Sequence, residues 1–514
     1  MHKIINNFET FHDTSVGYIK NNTLECIIET ERITKHKHAN FENPEDEVIP
    51  YLLNQYKIPN PKFSFDFKYG HHHELHAIAA FLSSGFDKAN VLIIDAEGDQ
   101  EDSVTLFYGK NKNIYELKKY SSIVSPGALY NAGAELIYGV PHCEGKLMGL
   151  ACGVEPDYTI PSPIQFHEDG TVDTLFDSTS IYNIIKYIKQ HFAHLFDTSG
   201  NLLPYDLYKA KLAANIQWWF TDQVITLTKY LKHISPRTEN LCIGGGCFLN
   251  CETNGVLDRM GIFKNIYSIP APADNGLVLG KIQQLLPEPL KIDSPYLGMS
   301  YNKTLEELLA IFRIQDNNSE IDNIINITMY SEDWIIERLK SNHIIIWFDG
   351  RSEFGPRALG HRSFLANPVA KDIFWELSIN IKQREPYRPL APITIDKLYP
   401  LIFNDPNPEN LTQFMLKTVK VKDEWINKIP AVVHINKTAR PQRLSKHINP
   451  ELYSLIENWY KQTGIPCLIN TSLNLNNQPL LETYSDLLNI IRDKRLKNKK
   501  ISVVVDHKLC FDLL

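Results

Sequence analysis

The stretch that decides the fold is TSVGYIKNNTLECIIETER, residues 14–32. Its apolar runs predict two strands, at 16–19 and 24–29, and the pair Asn21-Asn22 between them is typical of a tight hairpin turn. A related pattern recurs at residues 91–108, where the runs VLII and VTLFY flank an acidic turn, DAEGD. Two strand–turn–strand units in one chain predict an internally duplicated α/β domain.

The length of the chain predicts more than one domain, because 514 residues exceed what one compact core normally holds. Prolines between residues 287 and 295 and a polar run at 316–322 interrupt regular structure. Beyond them the pattern restarts with a buried strand at 344–348. We therefore expect an N-terminal domain over residues 1–315 and a C-terminal domain over residues 330–514.

The composition restricts the class of protein. Hydrophobic residues make up 43% and charged residues 22% of the chain, as in ordinary globular proteins. The net charge of -7 argues against a nucleic-acid partner. The sequence offers no signal peptide and no membrane-spanning stretch, so we expect no membrane partner. Because the eight cysteines form no regular CxxC pairs, we expect reduced thiols and a cytoplasmic protein.

The segment HHHELHA, residues 71–77, offers a candidate metal site. His72 and His76 lie four residues apart on a predicted helix, so both rings project from one face and can bind one ion. Asp95 at a strand end and Asp274 at a predicted helix start are candidate completing ligands. Such a set suits Fe(II), Mn(II) or Zn(II). The alternative is a histidine-rich helix face without a metal.

A glycine turn follows a short apolar run near residue 241. Gly244, Gly245 and Gly246 let backbone amides approach a phosphate or ribose closely, and the helix start beyond them favours an anion. Asn250 ends this segment as a further candidate nucleotide ligand. The alternative is a tight turn that only packs a strand on a helix.

The densest run of charged residues and glycines is WFDGRSEFGPRALGHRS, residues 347–363. Arginine forks match phosphate and carboxylate oxygens, and basic residues recur in two later segments. Their basic side chains are Arg351, Arg357, Arg362, Lys382, Arg384, Arg388, His434, Arg440 and Arg443. The segment NTSLN adds the donors Thr471, Ser472 and Asn474. Together these segments predict a pocket for a small polyanion; the alternative is a set of surface salt bridges.

These motifs together resemble the O-carbamoyltransferase family, which modifies nodulation factors, cephalosporins and aminoglycosides such as tobramycin. The most specific are EFGPRALGHRS and KQREPYRPLAP, and the others are HDTS, ETER, HHHELHA, DAEGD, GGGCFLN, PADNG, VVHINKTARPQ and NTSLN. The resemblance implies an α/β chain whose N-terminal domain has an actin-like ATPase fold, similar to threonylcarbamoyl-tRNA transferases. It also implies a C-terminal α/β domain similar to threonylcarbamoyl-adenylate synthases.

The resemblance implies a two-step reaction. Carbamoyl phosphate and ATP, with Mg²⁺, form carbamoyl-adenylate, and the N-terminal domain then transfers the carbamoyl group to a hydroxyl of a small acceptor of secondary-metabolite or sugar type, using a bound Fe(II) ion. The implied metal ligands are His72, His76, Asp95 and Asp274. The implied carbamoyl phosphate clamp is Arg357, Lys382 and Arg388, and the nucleotide lies near Thr471, Ser472 and Asn474. His12 and Lys37 lie near the reacting group, and His12 is the candidate general base because imidazole titrates near neutral pH.

Two other functions stay open at this stage. A tRNA threonylcarbamoyl-transferring enzyme would share the N-terminal fold, but it needs a basic face that the acidic total disfavours. A nucleotide-binding module without transfer chemistry explains the glycine turn but leaves the arginine-rich segments without a purpose. The identity of the acceptor is not encoded in any motif, and a homodimer is one expected form of the protein.

Overall fold

A computed structural model describes residues 2–10, 12–38, 45–59, 61–63, 68–176, 181–197, 206–315, 318–319 and 324–514. Helices cover two N-terminal sheets and one large C-terminal sheet, which is an α/β architecture. In the described part of the chain, none of the helices is long and apolar enough to cross a bilayer.

The strands are β1 (His2–Asn6), β2 (Ser15–Lys20), β3 (Thr23–Glu29), β4 (Lys62–Phe63), β5 (Lys88–Ile94), β6 (Asp102–Lys110), β7 (Asn113–Ser121), β8 (Ile164–Phe166), β9 (Val172–Thr174), β10 (Asn240–Gly244), β11 (Asn265–Tyr267), β12 (Ile314–Gln315), β13 (Asn318–Ser319), β14 (Ile324–Met329), β15 (Ile344–Phe348), β16 (Arg362–Ala366), β17 (Ala391–Ile395), β18 (Phe403–Asn404), β19 (Val419–Val421), β20 (Thr438–Ala439), β21 (Gln442–Leu444), β22 (Leu468–Ser472), β23 (Ile501–Val505) and β24 (Leu509–Leu513). The α-helices are α1 (Thr30–Thr34), α2 (Glu45–Tyr56), α3 (His72–Ser84), α4 (Pro126–Tyr138), α5 (Glu144–Ala151), α6 (Ile181–His191), α7 (Asp206–Ile234), α8 (Cys251–Met260), α9 (Leu277–Leu285), α10 (Leu305–Ile311), α11 (Glu332–Lys340), α12 (Lys371–Phe374), α13 (Tyr399–Ile402), α14 (Asp423–Ile426), α15 (Pro450–Thr463) and α16 (Tyr484–Ile491).

The two N-terminal sheets repeat one topology. The first has the order β3-β2-β1-β4 and the second the order β7-β6-β5-β10-β11. In each, the first three strands form an antiparallel meander and the first strand also pairs in parallel with a later one. The predicted hairpin turn lies between β2 and β3, where Asn21 and Asn22 have φ of 50° and 62°. Such left-handed angles match the hairpin turns that asparagine favours.

The two sequence stretches at 14–32 and 91–108 are not equivalent parts of the two duplicated units. The stretch at 14–32 covers the second and third strands of its sheet, whereas the stretch at 91–108 covers the first and second. The turn equivalent to Asp95–Asp99 is therefore the one between β1 and β2, which contains His12 and Asp13. Both equivalent turns carry candidate site residues.

The strand β5 is buried on both faces because it lies between two layers of helices. Val91 and Ile93 pack into a core with α3, α9 and the first sheet, whereas Leu92 and Ile94 pack under α4 and α7. This alternation follows from the two-residue period of a strand. The packing of β5 against α3 brings the carboxyl end of β5 beside the first turn of α3.

The C-terminal sheet has the order β14-β24-β23-β15-β16-β22-β17-β21. One face of β15 packs with Leu308 and Phe312, which precede the expected boundary at residue 315. The C-terminal core thus begins before that boundary, while most of the polar run at 316–322 lies outside the described residues. The division into two domains stays a prediction.

The two halves of the chain share buried contacts. Leu359 and residues 411–416 pack into the core beneath the second N-terminal sheet. Lys417 Nζ lies 2.7 Å from Asp258 Oδ2 in α8 and 2.9 Å from Asp405 Oδ1. These contacts bring the C-terminal candidate residues next to the glycine turn of the N-terminal half.

Candidate active site

Four predicted metal ligands meet at the carboxyl end of β5. His72 and His76 occupy successive turns of α3 and face Asp95 and Asp274. His72 Nε2 is 3.4 Å from Asp274 Oδ1 and 3.7 Å from Asp95 Oδ2. His76 Nε2 is 3.4 Å from Asp95 Oδ2 and 3.6 Å from Asp274 Oδ1. The ligand atoms of this group, which we call the His/Asp cluster, lie within 4.8 Å of one another.

The chemistry of the His/Asp cluster suits a divalent cation. The Nε2 atoms of His72 and His76 are buried and have no hydrogen-bond partner among the described residues. Burial alone would lower the pKa of His72, but the carboxylates of Asp274 and Asp95 raise it to about 11. The carboxylate field therefore favours a positive charge at this point, and two imidazoles with two carboxylates are a common metal-ligand set. That this set binds a metal stays a prediction.

The glycine turn braces the His/Asp cluster. Gly246 N donates to Asp95 Oδ2 at 3.0 Å, and Gly245 N donates to Pro272 O at 2.8 Å. Gly245 has φ of 96°, and a Cβ there would lie 2.1 Å from Ile94 O. These two amides are therefore engaged and do not face a phosphate as the sequence predicts. The turn instead orients a candidate metal ligand from behind.

Asn250 has a structural position. Its side chain accepts a hydrogen bond from Thr253 N at 3.0 Å, which caps α8, and it exchanges hydrogen bonds with the side chain of Gln217. The residue is almost fully buried. Because both ends of its amide are used, we do not include Asn250 in the proposed nucleotide site.

His12 lies at the edge of the His/Asp cluster, with Nε2 3.6 Å from Asp274 Oδ2. A hydrogen bond to Asp13, opposed by burial and reinforced by Asp274, raises the pKa of His12 to about 8. His38 Nδ1 lies 3.1 Å from the other oxygen of Asp13. Lys37 directly precedes His38 and lies near Asp13, so the two predicted N-terminal residues, His12 and Lys37, are both close to the Asp13–His38 pair.

The loop that carries Arg357 is shaped by one carboxylate. Glu353 Oε1 accepts hydrogen bonds from the backbone amides of Leu359, His361 and Arg362 at 2.7, 2.9 and 3.1 Å. Glu353 itself is buried. This arrangement folds the loop back on itself and explains why the motif needs an acid four residues before Arg357.

Several basic side chains of the C-terminal half converge, and we call them the cationic cluster: Arg357, Arg384, Arg388 and Arg440, with Lys37 from the N-terminal half. Burial and the neighbouring Arg440 and Arg388 lower the pKa of Arg357 to about 9. Burial and the same neighbours, Arg388 first, lower the pKa of Arg384 to about 9. Lys37 keeps part of its surface exposed; desolvation by the surrounding chain lowers its pKa, opposed by Glu31 and helped by Arg388 and Arg384. Crowded like charges of this kind call for an anionic ligand.

Two further polar atoms point to a ligand at the cationic cluster. Arg357 Nε and His434 Nε2 are buried without hydrogen-bond partners in the described part of the chain. Burial and the nearby Arg440 lower the pKa of His434 to about 3. Native proteins rarely leave buried polar atoms unsatisfied, so each of these atoms can take a water or a bound anion as its partner.

Lys382 organises the predicted nucleotide donors. It follows a π-helical segment, Trp375–Ile381, a distortion that is frequent at functional sites. Its buried Nζ lies 2.7 Å from Asn474 Oδ1 and 3.1 Å from Ser472 Oγ. Arg384 also reaches this segment, with Nη1 3.2 Å from Thr471 Oγ1. Lys382 therefore holds the segment 471–474 in place, and its membership of the carbamoyl phosphate clamp stays a prediction.

Arg351 lies apart from the cationic cluster. Its Nε donates to Gly298 O at 2.7 Å and its Nη2 donates to Leu297 O at 3.0 Å and to Glu25 O. These acceptors are backbone carbonyls of the N-terminal half. Arg351 is thus a link between the halves and is left out of the proposed nucleotide site.

The cationic cluster and the His/Asp cluster adjoin the same turn. Arg357 Nη2 donates to Leu249 O at 3.2 Å, and Leu249 ends the 3-10 turn Gly246–Leu249. The first amide of that turn binds Asp95, as described above. The two clusters are therefore joined through four consecutive residues.

Sequence reasoning places Arg384 in a basic segment but assigns it no role, and it does not single out Glu353 at all. The signal for Arg384 is its position between Lys382 and Arg388 in one short proline-bounded segment. For Glu353 the signal is weaker, because a carboxylate that binds backbone amides looks the same in sequence as a surface acid.

Comparison with known proteins identifies relatives over most of the chain. A family model described as carbamoyltransferase N-terminus matches residues 51–282, and one described as carbamoyltransferase C-terminus matches residues 336–507. Nodulation protein NolO of Bradyrhizobium diazoefficiens is 29% identical over 423 residues, covering 81% of this chain and 75% of that protein. Nodulation protein NolNO of Sinorhizobium fredii is 30% identical over 430 residues, covering 81% of this chain and 60% of that protein.

A solved structure aligns only weakly with part of the chain. The (R)-2-hydroxyglutaryl-CoA dehydratase component A of Acidaminococcus fermentans aligns with a TM-score of 0.31 and 11% identity, covering 55% of this chain and 96% of that chain. A similarity this slight supports no argument about the site.

Proposed function

The chain belongs to the carbamoyltransferase family, and on this premise we propose that it is an ATP-dependent O-carbamoyltransferase. It converts carbamoyl phosphate and ATP to carbamoyl-adenylate and transfers the carbamoyl group to a hydroxyl of a small acceptor. The observation that carries the proposal is the adjacency of the cationic cluster and the His/Asp cluster on the turn Gly246–Leu249. In this proposal the C-terminal half forms the adenylate, and the N-terminal half, with an actin-like fold, performs the transfer.

The cationic cluster supports the first step. Carbamoyl phosphate and ATP are both polyanions, and arginine forks bind phosphate oxygens at two points. Arg357, Arg384 and Arg388 neutralise the charge that develops on the transferring groups. Arg440 and His434 Nε2, which is buried without a partner among the described residues, complete the pocket.

The first step consumes one carbamoyl phosphate, one water and one ATP. Water cleaves carbamoyl phosphate to carbamate and phosphate. A carbamate oxygen then attacks the α-phosphorus of ATP, which forms the carbamoyl–adenylate bond and releases pyrophosphate. In the second step the acceptor oxygen attacks the carbamoyl carbon, AMP leaves with the bonding electron pair, and the hydroxyl proton passes to a base.

The His/Asp cluster supports the second step. His72, His76, Asp95 and Asp274 fit a divalent metal such as Fe(II), which when bound acts as a Lewis acid towards the carbamoyl or phosphate oxygen. His12 borders this cluster, with Nε2 3.6 Å from Asp274 Oδ2, and is the proposed base for the acceptor hydroxyl. Lys37 of the cationic cluster, which is near both Arg388 and Asp13, is proposed to stabilise the leaving AMP.

The test is pyrophosphate release from ATP by the purified, metal-replete chain, with and without carbamoyl phosphate. We expect release that depends on carbamoyl phosphate and is accompanied by one phosphate for each pyrophosphate. A chain that binds ATP and metal but releases no pyrophosphate under these conditions would refute the proposed function.

A further inference from the structure

Glu29 is a buried carboxylate at which three distant segments meet. It is the last residue of β3 and is 4% exposed. Its Oε1 accepts hydrogen bonds from Asn275 Nδ2 at 2.6 Å and from the backbone amide of Gly355 at 2.7 Å. Its Oε2 pairs with Arg32 Nη2 at 2.5 Å. Both oxygens are therefore engaged by partners from both halves of the chain.

The pair Glu29–Arg32 holds both backbone polar groups of Gly355. Glu29 accepts from its amide, and Arg32 Nη2 donates to its carbonyl at 2.7 Å. Gly355 has φ of 103°, and a Cβ there would lie 2.4 Å from Pro270 O. The glycine is thus confined on all sides, and Arg357 of the cationic cluster follows it by two residues.

The other arm of Glu29 reaches the His/Asp cluster. Asn275, whose amide binds Glu29, directly follows the candidate metal ligand Asp274. The backbone carbonyls of these two residues are held by Asn7 Nδ2 at 2.7 Å and Ser15 Oγ at 2.8 Å. The turn is therefore rigid, and a shift of Asn275 moves Asp274 with it.

We propose that Glu29 is a positioning residue that sets the relative placement of the two clusters. Oε1 of Glu29 binds the turn of Asp274, through Asn275, and the loop of Arg357, through Gly355, at the same time. Neither segment can shift relative to the other without losing its hydrogen bond to Glu29. A buried ion pair such as Glu29–Arg32 is a weak source of stability, and a role in fixing geometry explains it better. This inference rests on the proposed function of the two clusters.

The test measures both clusters in one variant. We expect Glu29→Ala to raise the dissociation constant for Mn(II) about 10-fold, as is typical for loss of a residue that orients a metal ligand. The same variant should raise the KM for carbamoyl phosphate in pyrophosphate release by about 10-fold, with a smaller change in kcat, because the loop of Arg357 loses its anchor. Glu29→Gln keeps an oxygen at Oε1 and should lie closer to the wild type in both measurements.

Two further variants separate positioning from general destabilisation. Asn275→Ala cuts only the arm to Asp274, so it should change Mn(II) binding and leave the KM for carbamoyl phosphate unchanged. Asp512→Asn removes a buried carboxylate that pairs with Arg338 at the edge of the C-terminal sheet, and it should change neither value. If Glu29→Ala does not fold, Glu29→Gln decides the question: it keeps an acceptor at Oε1 but loses the ion pair with Arg32, so smaller rises of both values are expected.

The outcomes are distinguishable. A wild-type chain that binds no Mn(II) or releases no pyrophosphate refutes the proposed function and this inference with it. A wild-type chain that is active, with Glu29 variants that alter only one of the two values or neither, overturns the inference alone. Equal effects from Asp512→Asn would also overturn it, because the effects would then reflect stability.

Discussion

Replacing Arg357 by methionine should stabilise the ligand-free protein while removing its activity. Burial with Arg440 and Arg388 lowers the pKa of Arg357 to about 9, from an ordinary value near 12.5. At pH 7, below both values, the folded state therefore carries the whole cost of the buried charge. The pKa difference corresponds to about 5 kcal/mol at most. Residual solvent screening reduces this, so we expect a gain of about 1–3 kcal/mol in the free energy of unfolding.

The assay compares thermal unfolding with pyrophosphate release. The gain should raise the melting temperature by roughly 1 °C per kcal/mol in a chain of 514 residues, while carbamoyl phosphate-dependent release falls by about 10²–10³-fold. The matched control is Arg338→Met, which removes a guanidinium that lies 3.0 Å from Asp512 and over the ring of Trp334. That variant should lose about 1 kcal/mol and keep its activity. An Arg357→Met protein that is less stable than the wild type without ligands, or that releases pyrophosphate normally, would refute the reasoning.

Three other predictions follow from single residues. His76→Ala should lose bound metal, as measured by elemental analysis, while pyrophosphate release persists. The control His71→Ala, on the exposed side of the same segment, should keep its metal. Full metal content in His76→Ala would exclude His76 as a ligand. Gly355→Ala should cost about 3 kcal/mol or more in chemical denaturation, because a backbone carbonyl lies 2.4 Å from the added Cβ. Gly464→Ala, also at a positive φ (72°) but with nothing near the added Cβ, should cost about 1 kcal/mol. Because the pKa of His434 is lowered to about 3, only the unfolded chain binds this proton between about pH 6.5 and 3, so the free energy of unfolding should fall by up to about 2 kcal/mol from pH 7 to pH 5. His434→Gln should flatten this part of the pH profile. An unchanged profile in that variant would show that His434 is already charged in the folded state and would contradict the prediction.

Local features of the structure follow closely from the sequence. The short apolar run at 91–94 predicts β5, whose side chains alternate between two faces with the two-residue period of a strand, and the four-residue spacing of His72 and His76 predicts that their rings share one face of a helix. Both periods come from backbone geometry, which is the same wherever the chain goes. For this reason the histidine pair and the hairpin at Asn21 and Asn22 need no knowledge of the rest of the fold.

Contacts between distant residues are a different matter. The glycine turn looks like a phosphate cradle in sequence, but Gly246 donates to Asp95, a residue 151 positions earlier. Asn250 and Arg351 have side chains that could bind a nucleotide, but their polar groups are hydrogen-bonded to residues that only folding brings near. The residue type determines which groups can donate a hydrogen bond, whereas the acceptor of each donor depends on which loops the packed core brings together.

The sequence by itself therefore determined the α/β class, the histidine pair and the basic composition of the C-terminal segments, because these depend on residue type and short spacing. Only the tertiary structure decided that Arg357 reaches the turn behind Asp95 and that Glu29 binds both Asn275 and Gly355, which lie 246 and 326 positions further along the chain. The physical reason is that such pairings gain their energy from burying many side chains at once. No local pattern records which distant groups that burial will bring within hydrogen-bonding distance.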